Sequence, residues 1–239
     1  WVLLGASTEY AVGTFDGTTF MPEATRLPGH RGRGFYAPQS FNDVPDGRRI
    51  MIGWWQTETP GMPFNQSMSL PLELGLKSTA AGPRLTFAPA REVERLRVSS
   101  RRLGGSTLAP GGPNPLEGIA TELVELRAEI DPGAAKEIVF TVRGETITYD
   151  VAPQELAISG LRAQAPLIDG RLQLTVFCDR TGIEVFAADG LCYVPLPFKP
   201  GVRDRSLAVE ARGGAATIHA LDVHELASIW QPRGQEDAR

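Results

Sequence analysis

The side chains best suited to chemistry in this sequence are aromatic rings and amides gathered between positions 36 and 66: Tyr36, Trp54, Trp55, Phe64, Asn65 and Gln66. Ring faces beside amides suit sugars, whose C–H faces stack on π surfaces while their hydroxyls need polar partners that both donate and accept. The competing use of the two tryptophans is packing on opposite faces of one strand, the commoner fate of a large aromatic.

The ionisable residues offer less. Glu73 lies between Leu72 and Leu74 in a strand pattern and reads as an ion-pair or hydrogen-bond partner. Glu58 and Asp46 fall in turns, where a carboxylate is solvated. Asp179 and Glu184 flank a hairpin in which Asp179 can cap the turn, with no neighbouring acid or histidine to tune a proton transfer. His219 and His224 are five residues apart in or beside a strand and so face opposite ways, and His30 is remote from both. Without closely spaced cysteines a zinc site is not expected, and neither a G-x-S-x-G elbow nor a phosphate-binding glycine loop occurs. No catalytic residue, metal or cofactor is assigned from these residues.

The elements that must hold the aromatic cluster are three short strands, Phe35–Phe41, Arg49–Trp55 and Ser67–Leu76. Turn-forming residues separate them: Asn42–Gly47, with Pro45-Asp46-Gly47, makes the first two a hairpin, and Pro60, Gly61 and Pro63 shape the longer second connection. Upstream, Asp16-Gly17 between Phe15 and Phe20 predicts another tight hairpin. Short strands at close spacing, with no helical period before residue 87, fit propeller blades, although periodicity alone does not separate a propeller from a sandwich. PAREVERLR, at 89–97, predicts one short helix across the sheet ends.

The run 99–115, with Gly104-Gly105 and Pro110-Gly111-Gly112-Pro113, reads as a linker. Beyond it, alternation and hairpin turns predict eight longer strands, at 121–130, 137–142, 145–151, 171–179, 183–187, 191–195, 206–211 and 216–226. Such strands indicate an antiparallel β-sandwich.

FYAPQSF, RRIMIGWW and MSLPLEL resemble, in order, the FYA-Q-F, R-I-IGW and MSLPREL runs of the family 32 glycoside hydrolases, which include invertases, inulinases and levanases. DRTGIEVFAADG (179–190) resembles the D-S-EVF-N-G run of that family's sandwich, and LASIW (226–230) its end. The pattern departs at Gly34, where the family usually has Asp, at Phe64, often Trp, and at Leu72, usually Arg. The resemblance implies an all-β chain: the last blades of a five-bladed β-propeller at 1–98, a linker at 99–115, a β-sandwich at 116–231 and a mobile tail at 232–239. It also implies a retaining mechanism with two carboxylates on a fructan or sucrose substrate. The family's acid motifs, W-x-N-D-P-N-G, R-D-P and Glu-Cys, do not occur here. The reactive acids are therefore expected in an N-terminal remainder of the propeller, and the chain alone is expected to be inactive. By resemblance Trp54 and Tyr36 line the sugar pocket, with Asn65 and Gln66 on the following loop. The rival reading is a noncatalytic, lectin-like sandwich module.

Composition bounds the remaining possibilities. The chain has 239 residues, a formal charge of −4 and scattered basic residues, so neither nucleic acid nor a membrane surface is an expected partner. It lacks an eighteen-residue apolar run and opens inside a strand pattern, as a portion of a longer polypeptide would. Cys178 and Cys192 fall two strands apart and offset along the sheet, which predicts free packed thiols and leaves the compartment open. A secreted or periplasmic location is the expectation.

Overall fold

The computed structural model describes residues 1–230, and the expected tail lies outside them. The described chain is all-β and arranges its strands in four sheets. The first is a meander of β1 (Val2–Leu4), β2 (Tyr10–Phe15) and β3 (Phe20–Leu27). Its second hairpin closes where the Asp-Gly pair predicts: Asp16 Oδ1 accepts the N–H groups of Thr18 and Thr19 at 2.8 and 2.7 Å.

The second sheet contains β4 (Phe35–Ser40), β5 (Arg49–Trp55), β6 (Ser67–Met68), β7 (Leu72–Thr79) and β8 (Gly82–Pro89), in the order β4-β5-β7-β8 with β6 also on β5. The predicted strand 67–76 is thus broken in two at residues 69–71. The expected short helix is a 3₁₀ segment, Arg91–Leu96, which buries Val93.

The residues expected as a linker instead contain β9 (Arg97–Leu103) and β10 (Ser106–Leu108). Both pair with the last strand of the described residues, Ala216–Leu226, so their backbone groups are satisfied in a sheet although their side chains are mostly exposed. There follow β11 (Val124–Asp131), β12 (Glu137–Val142), β13 (Glu145–Asp150), β14 (Glu155–Ile158), β15 (Leu161–Gln164), β16 (Leu172–Cys178), β17 (Gly182–Ala187), β18 (Cys192–Pro197), β19 (Leu207–Arg212) and β20 (Ala216–Leu226). The hairpin β14–β15 is an addition to the eight predicted strands. One sheet runs β10-β20-β11-β16-β17-β18 with β9 on β20, and the other runs β15-β14-β13-β12-β19. They face each other across a core that includes Leu126, Ile130, Phe140, Tyr149, Val176 and Val185.

A second core joins the small sheets to the sandwich. Tyr10, Phe35, Trp55 and Phe87 from the small sheets meet Phe177, Phe186 and Tyr193 from the outer face of the larger sandwich sheet. Tyr193 stacks on Phe186 and Phe87 with centroids 4.8 and 5.4 Å apart, and Phe35 meets its edge at 5.9 Å. Each buried aromatic contributes about 1.5–3 kcal/mol of transfer free energy, so this contact is a core rather than a surface touch. Consequently β17 is buried along its whole length, covered on one face by the sandwich core and on the other by the small sheets.

Backbone bonds reinforce the joint. The N–H groups of Arg31 and Arg33 donate to the carbonyls of Tyr193 and Pro195 at 2.7 and 2.9 Å, which adds an extended segment to the free edge of β18. Gly32 permits the approach, because a Cβ there would lie 1.8 Å from the Pro195 oxygen. Cys178 and Cys192 are free and buried on strands β16 and β18, either side of β17. Burial pushes both thiols up to about 12.

Candidate functional site

The aromatic cluster divides by the pleat of β5. Trp54 is opposite Tyr36 on β4 and Met68 on β6, and Trp55 is opposite Phe35 and Ser67. Side chains alternate across a strand, so the first three share one face and the second three the other. The Trp55 side is closed: Trp55 is 3% exposed and lies in the joint between small sheets and sandwich. The Trp54 side is open, with Trp54 38% and Tyr36 45% exposed and their rings edge to face at 6.3 Å. Packing accounts for Trp55 and leaves Trp54 and Tyr36 to solvent.

The loop 56–66 turns back to support the indole. Trp54 Nε1–H donates to Gln66 Oε1. Gln66 sits at a left-handed φ of 67°, an unfavourable conformation for a residue with a Cβ, and its N–H donates to Thr59 Oγ1 at 2.9 Å. Asn65 is exposed on the same loop. Tyr36, Trp54, Asn65 and Gln66 thus sit on one strand pair and its adjoining loop, with a direct bond between Trp54 and Gln66. Phe64 is half-buried and stacks at 5.0 Å on Trp230, from the end of the described chain. Trp54, Phe64, Gln66, Met68, Arg180 and Trp230 all line one groove of about 880 Å³ between the second sheet and the sandwich.

The acids are engaged elsewhere. Glu73 is 3.5 Å from Arg48, which also pairs with Glu92 at 2.7 Å, and Asp46 pairs with Arg91 at 2.7 Å. Glu58 is exposed in its loop. Asp179 caps the β16–β17 turn as its position predicts: Oδ1 accepts the N–H groups of Thr181 at 2.6 Å and Gly182 at 3.0 Å.

Glu184 is the residue whose role the sequence conceals. Its neighbours in β17 are all buried, and it is itself 3% exposed, accepting the Leu70 N–H at 2.8 Å and the Tyr193 hydroxyl. Burial pushes its carboxyl up to about 7, against the pull of those two donors, and the negative Asp179 adds to the rise. The signal was present as one acid inside the apolar run IEVFA, which in a doubly covered strand requires dedicated partners. Those partners come from Leu70, 114 residues upstream, and from β18, pairings that local pattern cannot reveal.

Among the described residues no group of three or more His, Cys, Asp or Glu is placed to hold a metal ion. No described helix is long and apolar enough to cross a membrane.

Small antiparallel sheets docked on the outer face of a two-sheet antiparallel sandwich define an all-β architecture of blades leaning on a sandwich. The model of the glycosyl hydrolases family 32 N-terminal domain matches residues 4–89, and that of the family 32 C-terminal domain matches residues 92–225. The chain belongs to glycosyl hydrolase family 32.

It is 32% identical over 259 aligned residues to a levanase of Bacillus subtilis, covering 95% of this chain and 38% of the relative. It is 26% identical to an extracellular exo-inulinase of Aspergillus niger, covering 95% of this chain and 49% of that protein. The structure overlays the crystal structure of an exo-inulinase from Aspergillus awamori with a TM-score of 0.80 at 23% identity, over 94% of this chain and 50% of the other. The chain therefore spans between about two fifths and one half of these relatives. The fold expected from sequence, last blades of a five-bladed β-propeller followed by an antiparallel β-sandwich, is the fold found, and the blades do not close into a ring.

Proposed function

We propose that this chain is the C-terminal part of a hydrolase cleaving β-fructofuranosyl linkages of sucrose, inulin or levan, and that it supplies one wall of the sugar pocket. The observation that carries the reading is the solvent-facing Tyr36–Trp54 pair, with the indole braced by Gln66, in a chain of this family. Rings held in that way offer a stacking surface of fixed orientation, as a sugar ring requires. Asn65 adds an exposed amide beside them. With the Gln66 carbonyl oxygen occupied by Trp54, its NH₂ group is the part left to donate to a sugar hydroxyl.

The chemistry we assign is a retaining displacement by two carboxylates about 5–5.5 Å apart, one a nucleophile and one an acid/base. We place both acids in sequence outside this chain. Glu73, Asp46 and Asp179 have structural partners, and Glu184, although it lines the same groove as Trp54, is 3% exposed and is engaged by the Leu70 N–H and the Tyr193 hydroxyl. The partners of the chain are then a fructan or sucrose and the N-terminal remainder of the propeller, and the chain by itself is inactive. The names of the levanase and of the extracellular exo-inulinase support the substrate class and a secreted or periplasmic location. We divide the chain near residue 90 rather than at 99–115, since β9 and β10 belong to the sandwich sheet by pairing. The experiment that tests the reading is Trp54→Ala in a polypeptide that also carries the upstream sequence, assayed for fructose release.

A further inference from the structure

We infer that Trp230, at the end of the sandwich, is a positioning residue for the sugar-facing indole of Trp54, acting through the loop 56–66. The inference rests on the reading of Trp54 given above for its functional meaning, but not for its physical test.

A short relay of contacts makes the connection. The Trp230 ring lies flat on Phe64, with centroids 5.0 Å apart and planes 20° from parallel. The Phe64 carbonyl accepts the Thr59 hydroxyl at 3.1 Å. Thr59 Oγ1 in turn accepts the Gln66 N–H at 2.9 Å, and Gln66 Oε1 accepts the Trp54 indole N–H. Every link is a direct contact, and both ends are exposed: Trp54 and Trp230 are 38% and 52% accessible.

The loop needs such support. It holds Pro60, Pro63 and a turn at Gly61, and it ends with Gln66 at positive φ, a conformation that persists only where surrounding contacts enforce it. The hydroxyl of Ser67 strengthens its base, meeting Thr57 at 2.6 Å and Thr181 of the β16–β17 turn at 3.3 Å. Phe64 is the apolar anchor of the outer half, and its partner comes from the sandwich rather than from its own sheet. With Trp230 removed, Phe64 loses its stacked face, the Thr59 carbonyl partner is free to move, and the acceptor for the indole moves with it. The sandwich thereby sets the orientation of a pocket residue on the propeller side. This gives the domain joint a role in substrate selection beyond shielding blade edges.

The test is spectroscopic and needs no substrate. The chain contains four tryptophans, and their indole N–H environments differ: Trp54 is bonded to Gln66, Trp55 is buried without a hydrogen-bond partner among the described residues, and Trp1 and Trp230 are exposed. In ¹H–¹⁵N spectra of the full chain, Trp54→Phe assigns the Trp54 indole resonance and Gln66→Ala moves it upfield. Trp230→Ala and Phe64→Leu should both shift or broaden that resonance and leave Trp55 in place, while Trp230→Phe, which keeps a ring on Phe64, should restore it. A Trp54 resonance unmoved in Trp230→Ala or Phe64→Leu, with Trp55 reporting an intact fold, overturns the inference. A shift in these variants together with unchanged sugar kinetics in Trp54→Ala would sink the functional reading and leave the relay standing.

Discussion

Glu184→Gln is the substitution whose consequence can be worked furthest. The carboxyl titrates near 4.5 in an unfolded chain and is pushed up to about 7 by burial in the folded one. Below pH 4.5 it is protonated in both states and adds no pH dependence. Between 4.5 and 7 the unfolded chain releases the proton while the folded chain keeps it, so stability falls as pH rises, and the loss is complete above 7. At about 1.4 kcal/mol per pH unit that interval corresponds to about 3 kcal/mol, taken without discount because the group is fully enclosed. Glutamine cannot ionise, yet its carbonyl oxygen can still accept the Leu70 N–H and its NH₂ can donate to the Tyr193 oxygen. Urea unfolding at pH 4.5, 6 and 8 should therefore find Glu184→Gln close to the parent at the lowest pH and more stable by up to about 3 kcal/mol at the highest. Glu184→Ala should be less stable than the parent at pH 4.5, by about 1–3 kcal/mol for each donor left unpaired. Parallel pH curves for the parent and Glu184→Gln would refute the reasoning, since the buried carboxyl would then contribute nothing to the slope.

Other consequences of the joint can be checked on the same chain. Gly182→Ala would place a Cβ 2.1 Å from the ring of Trp55, a buried side chain that would have to shift, so thermal melting should show a loss of about 1–3 kcal/mol, several degrees in Tm; an unchanged Tm would mean the ring is not seated there. With both thiols raised to about 12 by burial, Cys178 and Cys192 should resist a disulfide reagent at pH 8 in the folded chain and react together once it is denatured. Rapid labelling of the folded chain would contradict their burial.

What could be read from sequence was what depends on local pattern. Asp16-Gly17, Asn42–Gly47 and Asp179–Gly182 marked turns because side-chain and glycine chemistry act within a few residues. Alternation about β5 put Trp54 and Trp55 on opposite faces, and the open and closed sides follow from that. Strands β9 and β10, in and beside the run expected as a linker at 99–115, were not legible for a physical reason. RVSSRRL has no buried face of its own to announce a strand, and its order comes from the edge of β20, over a hundred residues away. The β14–β15 hairpin was missed because its strands are only four residues each around Ser159-Gly160. The contacts of Glu184 and Trp230 were not legible since their partners, Leu70 and Phe64, lie across the joint and become neighbours only when the sandwich docks.

The central claim, that the open face of β5 meets the sugar, is tested most directly by steady-state kinetics of Trp54→Ala in the polypeptide that includes the upstream acids. A stacked ring contributes about 0.5–1.5 kcal/mol, so kcat/KM for fructoside hydrolysis should fall by roughly two- to tenfold while the melting temperature stays within a degree or two of the parent. Unaltered kcat/KM in a correctly folded variant would contradict the account and return Trp54 to the status of an exposed surface ring.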